Sequence, residues 1–180
     1  MTWTYTIRDG ETQTAMRFAK RVAATYADGK KEASAKLTMA NLTPDKLERA
    51  FLVSRISEIA VCHFLGLHFV HALDWGDECD RGWDLQFHDL FIDVKASETP
   101  NPRLIWPASK AHFIDEVNCD VFALCGVAMP RITLHGFCSL NRFRNNCVTS
   151  DGTDGLVKGT LWMRAEHITR PEDFRSMFPE

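Results

Sequence analysis

Apolar positions repeat most regularly between Thr43 and Gly66, where they predict one long helix. Thr43 is a typical N-cap residue, Pro44 suits the first helical position, and Gly66 is a typical helix stop. Between these ends, apolar side chains recur at spacings of three and four and form a face that we expect to be buried. The residues of that face are Leu52, Ile56, Ile59, Ala60 and His63. An Ala-rich pattern over residues 11–40, interrupted near Asp28-Gly29, predicts further helix.

After Gly66 the period changes to two, which is typical of strands. Residues 83–87 and 91–97 alternate apolar and polar side chains, and His88-Asp89-Leu90 between them is short enough for a hairpin turn. Pro100, Pro102 and Pro107 then indicate a loop. The later predicted elements are a helix over residues 108–118, strands over 120–128 and 132–140 joined around Met129-Pro130, a helical turn over 141–146, a loop over 147–159, a strand over 160–164 and a helix after Pro171.

This order of helix, hairpin, helix and strands predicts a mixed α/β fold. Neither an internal repeat nor a Pro/Gly/Ser-rich linker divides the chain, so we expect a single domain over residues 1–180. Hydrophobic residues make up 45% and charged residues 25% of the sequence, which is typical of a globular protein. No apolar run approaches the roughly 18 residues of a membrane span, and the N-terminus lacks the pattern of a signal peptide. We therefore expect a cytoplasmic protein without a membrane partner.

The cysteines and the net charge say little about which class of function this protein has. Four of the six cysteines lie in apolar or periodic stretches, where a reduced thiol packs as a small hydrophobe. These four are Cys62, Cys119, Cys125 and Cys138. Zinc is disfavoured, because the Cys and His residues between positions 62 and 79 match no CxxC or HxxxH spacing. The net charge of −3 neither indicates nor excludes a nucleic-acid partner.

Candidate chemistry lies in the predicted hairpin. Because side chains of a strand alternate between faces, Asp93, Lys95 and Ser97 share one face, while Ile92, Val94 and Ala96 point into the core. If the two strands pair, Asp84 on the first strand approaches Asp93 on the second. Two carboxylates held so close repel each other unless a cation lies between them.

A divalent cation would resolve this repulsion, and hard oxygen ligands suit Mg²⁺, with Mn²⁺ as a substitute. The ion would lower the pKa of a bound water and stabilise charge on phosphate oxygens. Lys95 would then orient or help to deprotonate the attacking water. Glu58, which lies beside the buried face of the long helix, would join the site if that helix packs across the hairpin. These groups together suit hydrolysis of a phosphodiester bond.

Each residue also has a simple structural explanation. Asp84 fits a solvent-facing hairpin, Asp93 with Lys95 fits an exposed ion pair, and Glu58 fits a solvated pair with Arg55 at i, i−3. It is the occurrence of all four, Glu58, Asp84, Asp93 and Lys95, in one order that favours a catalytic site.

The segments Glu58-Ile59-Ala60, Gly82-Trp83-Asp84 and Ile92-Asp93-Val94-Lys95 resemble the PD-(D/E)XK nuclease superfamily. The resemblance covers a core over roughly residues 44–145, between an N-terminal helical segment (1–43) and a C-terminal strand and helix (146–180). It departs from the motif at Trp83, in place of Pro, and at Asp93, where Glu is commoner.

The resemblance implies a restriction-endonuclease-like fold, an α/β core with a central mixed sheet of four to five strands flanked by helices. It implies a Mg²⁺-dependent nuclease with Glu58, Asp84, Asp93 and Lys95 as catalytic residues. Metal ligands would be Asp84, Asp93, the Val94 backbone carbonyl, and Glu58 directly or through water. DNA is the expected substrate, since the family mostly acts on DNA, and RNA is the alternative.

Several weaker expectations concern binding. Candidate nucleic-acid contacts are Ser97, on the same strand face, and Lys110, Arg81, Arg103, Arg142 and Arg144, since phosphate binding commonly uses Lys and Arg. Both a homodimer and a subunit directed by a partner remain open. Two other functions stay as alternatives: a non-catalytic module that binds nucleic acid or protein on a nuclease-like fold, and an interaction domain with an accidental motif, in which Asp84 and Asp93 would lie far apart.

Overall fold

The computed structural model describes residues 2–27, 43–69, 83–99 and 101–178. In chain order, the first half contains β1 (Trp3–Thr6), α1 (Asp9–Ala27), α2 (Pro44–Leu65), β2 (Leu85–Phe87), β3 (Leu90–Ser97) and β4 (Arg103–Trp106). The second half contains a 3₁₀ helix (Ala108–Glu116), β5 (Val121–Ala128), β6 (Arg131–Ser139), α3 (Leu140–Asn146), β7 (Val148–Thr149), β8 (Leu161–Arg164), a 3₁₀ turn (Ala165–His167) and α4 (Pro171–Ser176).

A five-stranded mixed sheet forms the centre, in the order β1-β6-β5-β3-β2. β3 and β5 run parallel, whereas the other neighbouring pairs are antiparallel. A second sheet has the order β4-β8-β7. The predicted mixed α/β fold with a four- to five-stranded sheet and helices is therefore confirmed at this level.

β5 explains how the layers are arranged, because it is buried on both faces. Val121 and Ala123 pack in one apolar cluster with α1, α2 and α4, while Phe122 and Leu124 pack in another with β4, β8 and α3. A strand covered on both faces is expected to be apolar throughout, as β5 is. We call the face under α1 and α2 the helical face, and the opposite one the second face.

The strongest patterns of the sequence were read correctly. The predicted helix over residues 44–66 is α2, which ends where Gly66 adopts the left-handed conformation at φ 73°. The hairpin is β2 and β3, the strands over 120–128 and 132–140 are β5 and β6, and the later strand and helices are β8, α3 and α4. Cys62, Cys119, Cys125 and Cys138 are buried free thiols, as expected. Residues 28–40 of the predicted N-terminal helix lie outside the described residues.

Three expectations differ from the structure, and a fourth element, β1, had no prediction. The loop expected around the three prolines contains the strand β4. Among the described strands, β4 pairs with β8 alone and lies at the edge of its sheet. Pro102 and Pro107 lie just outside its two ends, where they interrupt no strand pairing. The helix expected over residues 108–118 is a 3₁₀ helix ending at Glu116. β1 was not predicted, because four residues carry little periodicity without their partner β6. β7 likewise falls in the expected loop over residues 147–159.

Among the described residues, no helix is both long and apolar enough to cross a membrane.

Candidate active site

Asp84 lies at the point where β2 stops pairing with β3. Its backbone N–H donates to the Ile92 carbonyl at 2.8 Å, and its carboxylate Oδ2 accepts from the Val94 N–H at 2.7 Å. Because β2 begins at Leu85, the Asp84 side chain takes the place of the next main-chain partner along β3. The hydrogen bond from the Val94 N–H therefore holds the Asp84 carboxylate near Asp93, which precedes Val94 in β3. The Val94 carbonyl faces the same edge as its N–H.

Asp93 and Lys95 project together from the second face of β3. The Lys95 Nζ lies 2.6 Å from the Asp93 Oδ2, and the two side chains are 31% and 13% exposed. The same ammonium lies 5.4 Å from the centre of the Trp106 ring and 5.9 Å from that of Phe122. Lys95 therefore reaches the site along an aromatic wall that limits its contact with water.

Glu58 comes from α2 and is 1% exposed. The Ser54 hydroxyl donates to its Oε1 at 3.1 Å, and the Arg55 guanidinium donates to its Oε2. Arg55 in turn lies over the ring of Phe18 on α1, with 3.8 Å between its Cζ and the ring centre. The pair of Glu58 with Arg55 at i, i+3 was the structural alternative for this residue, but here it is buried rather than solvated.

The pKa shifts show that these groups share one electrostatic neighbourhood. Burial raises the pKa of Glu58 to about 7, and Asp93 adds to that rise against the opposing effects of Arg55 and Ser54. Burial, then Glu58 and Asp93, raise the pKa of Asp84 well above its ordinary value, while Lys95 and the Val94 N–H oppose the rise. Burial works against the charged form of Lys95, but Asp93 and Asp84 outweigh it and raise the pKa.

The fold thus brings together all four candidate residues, Glu58, Asp84, Asp93 and Lys95, from one helix and one hairpin. Asp84 binds the N–H of the residue after Asp93, and Asp93 acts on the pKa of Asp84, so the two do not lie far apart as an accidental motif would predict. Burial is the largest cause of the raised pKa values of Glu58 and Asp84, and neighbouring carboxylates add to both.

The donor chemistry of this site fits a hard divalent cation. Carboxylate and carbonyl oxygens are suitable ligands, and Mg²⁺ commonly uses only one or two carboxylates with water in its other positions. Within the described ranges, however, no group of three or more His, Cys, Asp or Glu side chains is arranged to hold a metal ion. If the site binds such an ion, Asp84 and Asp93 are the ligands that we expect, while Glu58 is held by Arg55 and would act directly only after leaving it.

Most of the weaker nucleic-acid candidates have hydrogen-bond partners elsewhere in the protein. The Ser97 hydroxyl lies 2.8 Å from that of Thr99, and Arg103 donates to the Asp154 carbonyl at 3.0 Å. Lys110 is linked to the aromatic wall beside Lys95, because its backbone carbonyl accepts from the Trp106 indole N–H at 2.7 Å. Arg142 donates to Thr169 and Arg144 to the Ile114 carbonyl, whereas Arg81 lies outside the described residues.

Sequence reasoning missed the residues that surround the four. Trp106 was not predicted to lie at the site, because the prolines around β4 indicated a loop. Phe18 and Ser54 gave no signal, since their roles depend on how α1 and α2 pack. Arg55 was considered only as a partner for Glu58, and its position one turn before Glu58 was the one usable sign.

Comparison with protein-family models, curated proteins and solved structures found no significant match to this chain.

Proposed function

We propose that this protein is a divalent-metal-dependent nuclease of the PD-(D/E)XK type that hydrolyses phosphodiester bonds, with DNA as the preferred substrate. Support comes first from the order of elements. α2 carries Glu58, the β2–β3 hairpin carries Asp84 and Asp93-x-Lys95, and a 3₁₀ helix and two apolar strands follow. That is the order implied by a restriction-endonuclease-like core, with β4 as an additional strand.

The observation that carries the proposal is the crowding of three carboxylates and one lysine. Structural carboxylates are ordinarily paired in a way that lowers their pKa, whereas burial and mutual repulsion raise those of Glu58 and Asp84. Strongly perturbed groups gathered in one place are typical of active sites. A bound divalent cation would remove the repulsion and hold the carboxylates in their charged form.

The chemistry follows from these groups. Bound Mg²⁺ or Mn²⁺ would supply charge stabilisation on the phosphate and a water acidic enough to attack it. Asp84 and Asp93 would hold such a cation, where β2 stops pairing with β3. The Lys95 ammonium, kept beside Asp93 at 2.6 Å, orients the attacking water and stabilises negative charge on the phosphate. Glu58 holds water on the α2 side of the site.

A cleavage assay tests this function. The wild-type protein is incubated with linear duplex, circular duplex and single-stranded DNA and with RNA, each with Mg²⁺, Mn²⁺ or EDTA. Cleavage in Mg²⁺ or Mn²⁺ and none in EDTA is expected, strongest on DNA. Asp93→Asn should abolish cleavage, while Asp89→Asn, an exposed aspartate in the turn of the same hairpin, should not change it.

A second function, binding of nucleic acid without cleavage, is favoured by one observation. Each carboxylate already has a protein partner: Arg55 for Glu58, the Val94 N–H for Asp84, and Lys95 for Asp93. For a binding module, we expect retention of DNA or RNA in a gel-shift assay with no product in any metal.

A further inference from the structure

Arg55 is the charged group near the site that the proposed chemistry does not use. Its side chain is 11% exposed, and that of its partner Glu58 is 2% exposed. An arginine so far removed from water is costly unless it is well paired, and here it has both a carboxylate and an aromatic face. The position of this guanidinium is therefore defined by two helices, α2 through Glu58 and α1 through Phe18.

Two arginines, Arg55 and Arg21, contact the Phe18 ring, but their distances and other partners differ. The Arg55 guanidinium lies 3.8 Å from the ring centre and also binds Glu58. The Arg21 guanidinium lies 5.5 Å from the same ring centre and is on the exposed side of α1. Both cations contact one ring, but the geometry of Arg55 alone directs its charge at the carboxylates. Arg21 is therefore a matched control.

Charge explains what Arg55 does to the site. Glu58 raises the pKa of Asp84, so the two carboxylates feel each other's charge, and Asp93 acts on both. A guanidinium bound to Glu58 offsets part of this negative charge. A divalent cation that approaches the same carboxylates is repelled by Arg55 and finds one oxygen of Glu58 already engaged.

We propose that Arg55 is an internal counter-cation: it holds Glu58 in the metal-free protein and lowers the affinity of the carboxylate cluster for free divalent cations. The inference rests on the proposed function, because it concerns cation binding at the same site. It also gives α1 a role, since Phe18 provides the aromatic surface on which the guanidinium lies. Arg55 is in this sense a positioning residue and need not touch the substrate.

The test is direct binding of Mn²⁺, followed through the electron paramagnetic resonance signal of the free ion, without nucleic acid. Wild type, Arg55→Gln and Arg21→Gln are compared in the same buffer at a pH of about 8. We expect Arg55→Gln to bind Mn²⁺ about five- to tenfold more tightly than wild type, since one nearby positive charge is removed. Arg21→Gln should match wild type. Arg55→Met, which fills the same space without charge, is the second variant if Arg55→Gln does not fold.

The outcomes separate the two proposals. Tighter binding in the Arg55 variants supports the inference, including the case in which only these variants bind measurably. Wild-type binding with equal or weaker binding in the variants overturns the inference and leaves the nuclease proposal standing. Binding in none of the proteins overturns both.

Discussion

Two buried carboxylates of this protein, Glu11 on α1 and Glu58 on α2, have opposite electrostatic settings. Glu11 accepts hydrogen bonds from the Tyr5 hydroxyl at 2.8 and 3.0 Å and from the Arg8 N–H at 3.0 Å. The His63 ring nitrogen lies 2.8 Å from its other oxygen. Burial alone would raise the pKa of Glu11, but Arg8, His63 and Tyr5 together lower it.

Glu58 is more deeply buried than Glu11, and burial, with a smaller contribution from Asp93, raises its pKa to about 7. The comparison shows what separates a structural carboxylate from a candidate functional one. Glu11 has donors for both of its oxygens and joins β1, α1 and α2. Glu58 has donors as well, but its deeper burial and the nearby Asp93 raise its pKa more than Arg55 and Ser54 lower it.

The largest expected difference between the two carboxylates is in catalysis. Glu58→Gln should slow metal-dependent DNA cleavage about a hundredfold, because the amide cannot hold water and charge as the carboxylate does. Glu11→Gln should leave the rate of the folded protein within about twofold of wild type, since Glu11 belongs to a separate cluster. Single-turnover cleavage rates measure both. Equal losses in the two variants would contradict the distinction.

The pH dependence of stability should also separate them. The folded protein holds the Glu58 proton up to a pH of about 7, whereas an unfolded chain releases it near the ordinary glutamate pKa of 4.5. The folded state therefore binds more protons in this interval, and the free energy of unfolding falls as the pH rises through it, by about 3 kcal/mol. Above a pH of about 7 this contribution is constant. Asp84, whose pKa is also raised, acts with the same sign.

Urea unfolding at several pH values, with EDTA present, measures this effect. Glu58→Gln should flatten the fall in stability between pH values of about 4.5 and 7, because the amide does not titrate. The lowered pKa of Glu11 has the opposite sign: its contribution is present above the ordinary pKa and is lost as the pH falls through the lowered one. An unchanged profile in Glu58→Gln would contradict the assignment.

The smallest expected effect is on stability at neutral pH. Glu11→Gln should destabilise the fold by about 1–2 kcal/mol, because the amide leaves some of the Tyr5, Arg8 and His63 donors without a charged acceptor. Thermal or urea unfolding measures it. A loss below the error of the experiment would mean that the cluster does not join β1 to the helices.

Much of the fold could be predicted from the sequence, but only where a pattern is long or its ends are marked. α2 has Pro44 at its start and Gly66 at its end, and β5 is apolar throughout because both of its faces are covered. β1 and β4 are four residues each, and their pairing with β6 and β8 depends on distant parts of the chain.

The site residues also differ in how far the sequence could predict their positions. Asp84, Asp93 and Lys95 are close in sequence, so the hairpin pattern was enough to bring them together. The approach of Glu58 required α2 to pack on the sheet, which the apolar face of that helix indicated. The contact of Arg55 with Phe18 joins two helices whose relative position no local pattern encodes, and so it emerged only from the structure.

We propose that Lys95 and the three carboxylates form a metal-dependent phosphodiesterase site. The most direct measurement is cleavage of duplex DNA in Mg²⁺ by wild type, by Lys95→Ala and by Lys46→Ala, an exposed lysine at the start of α2. We predict cleavage by wild type and Lys46→Ala and a loss of about a hundredfold or more in Lys95→Ala. Cleavage by Lys95→Ala at the wild-type rate would contradict the account.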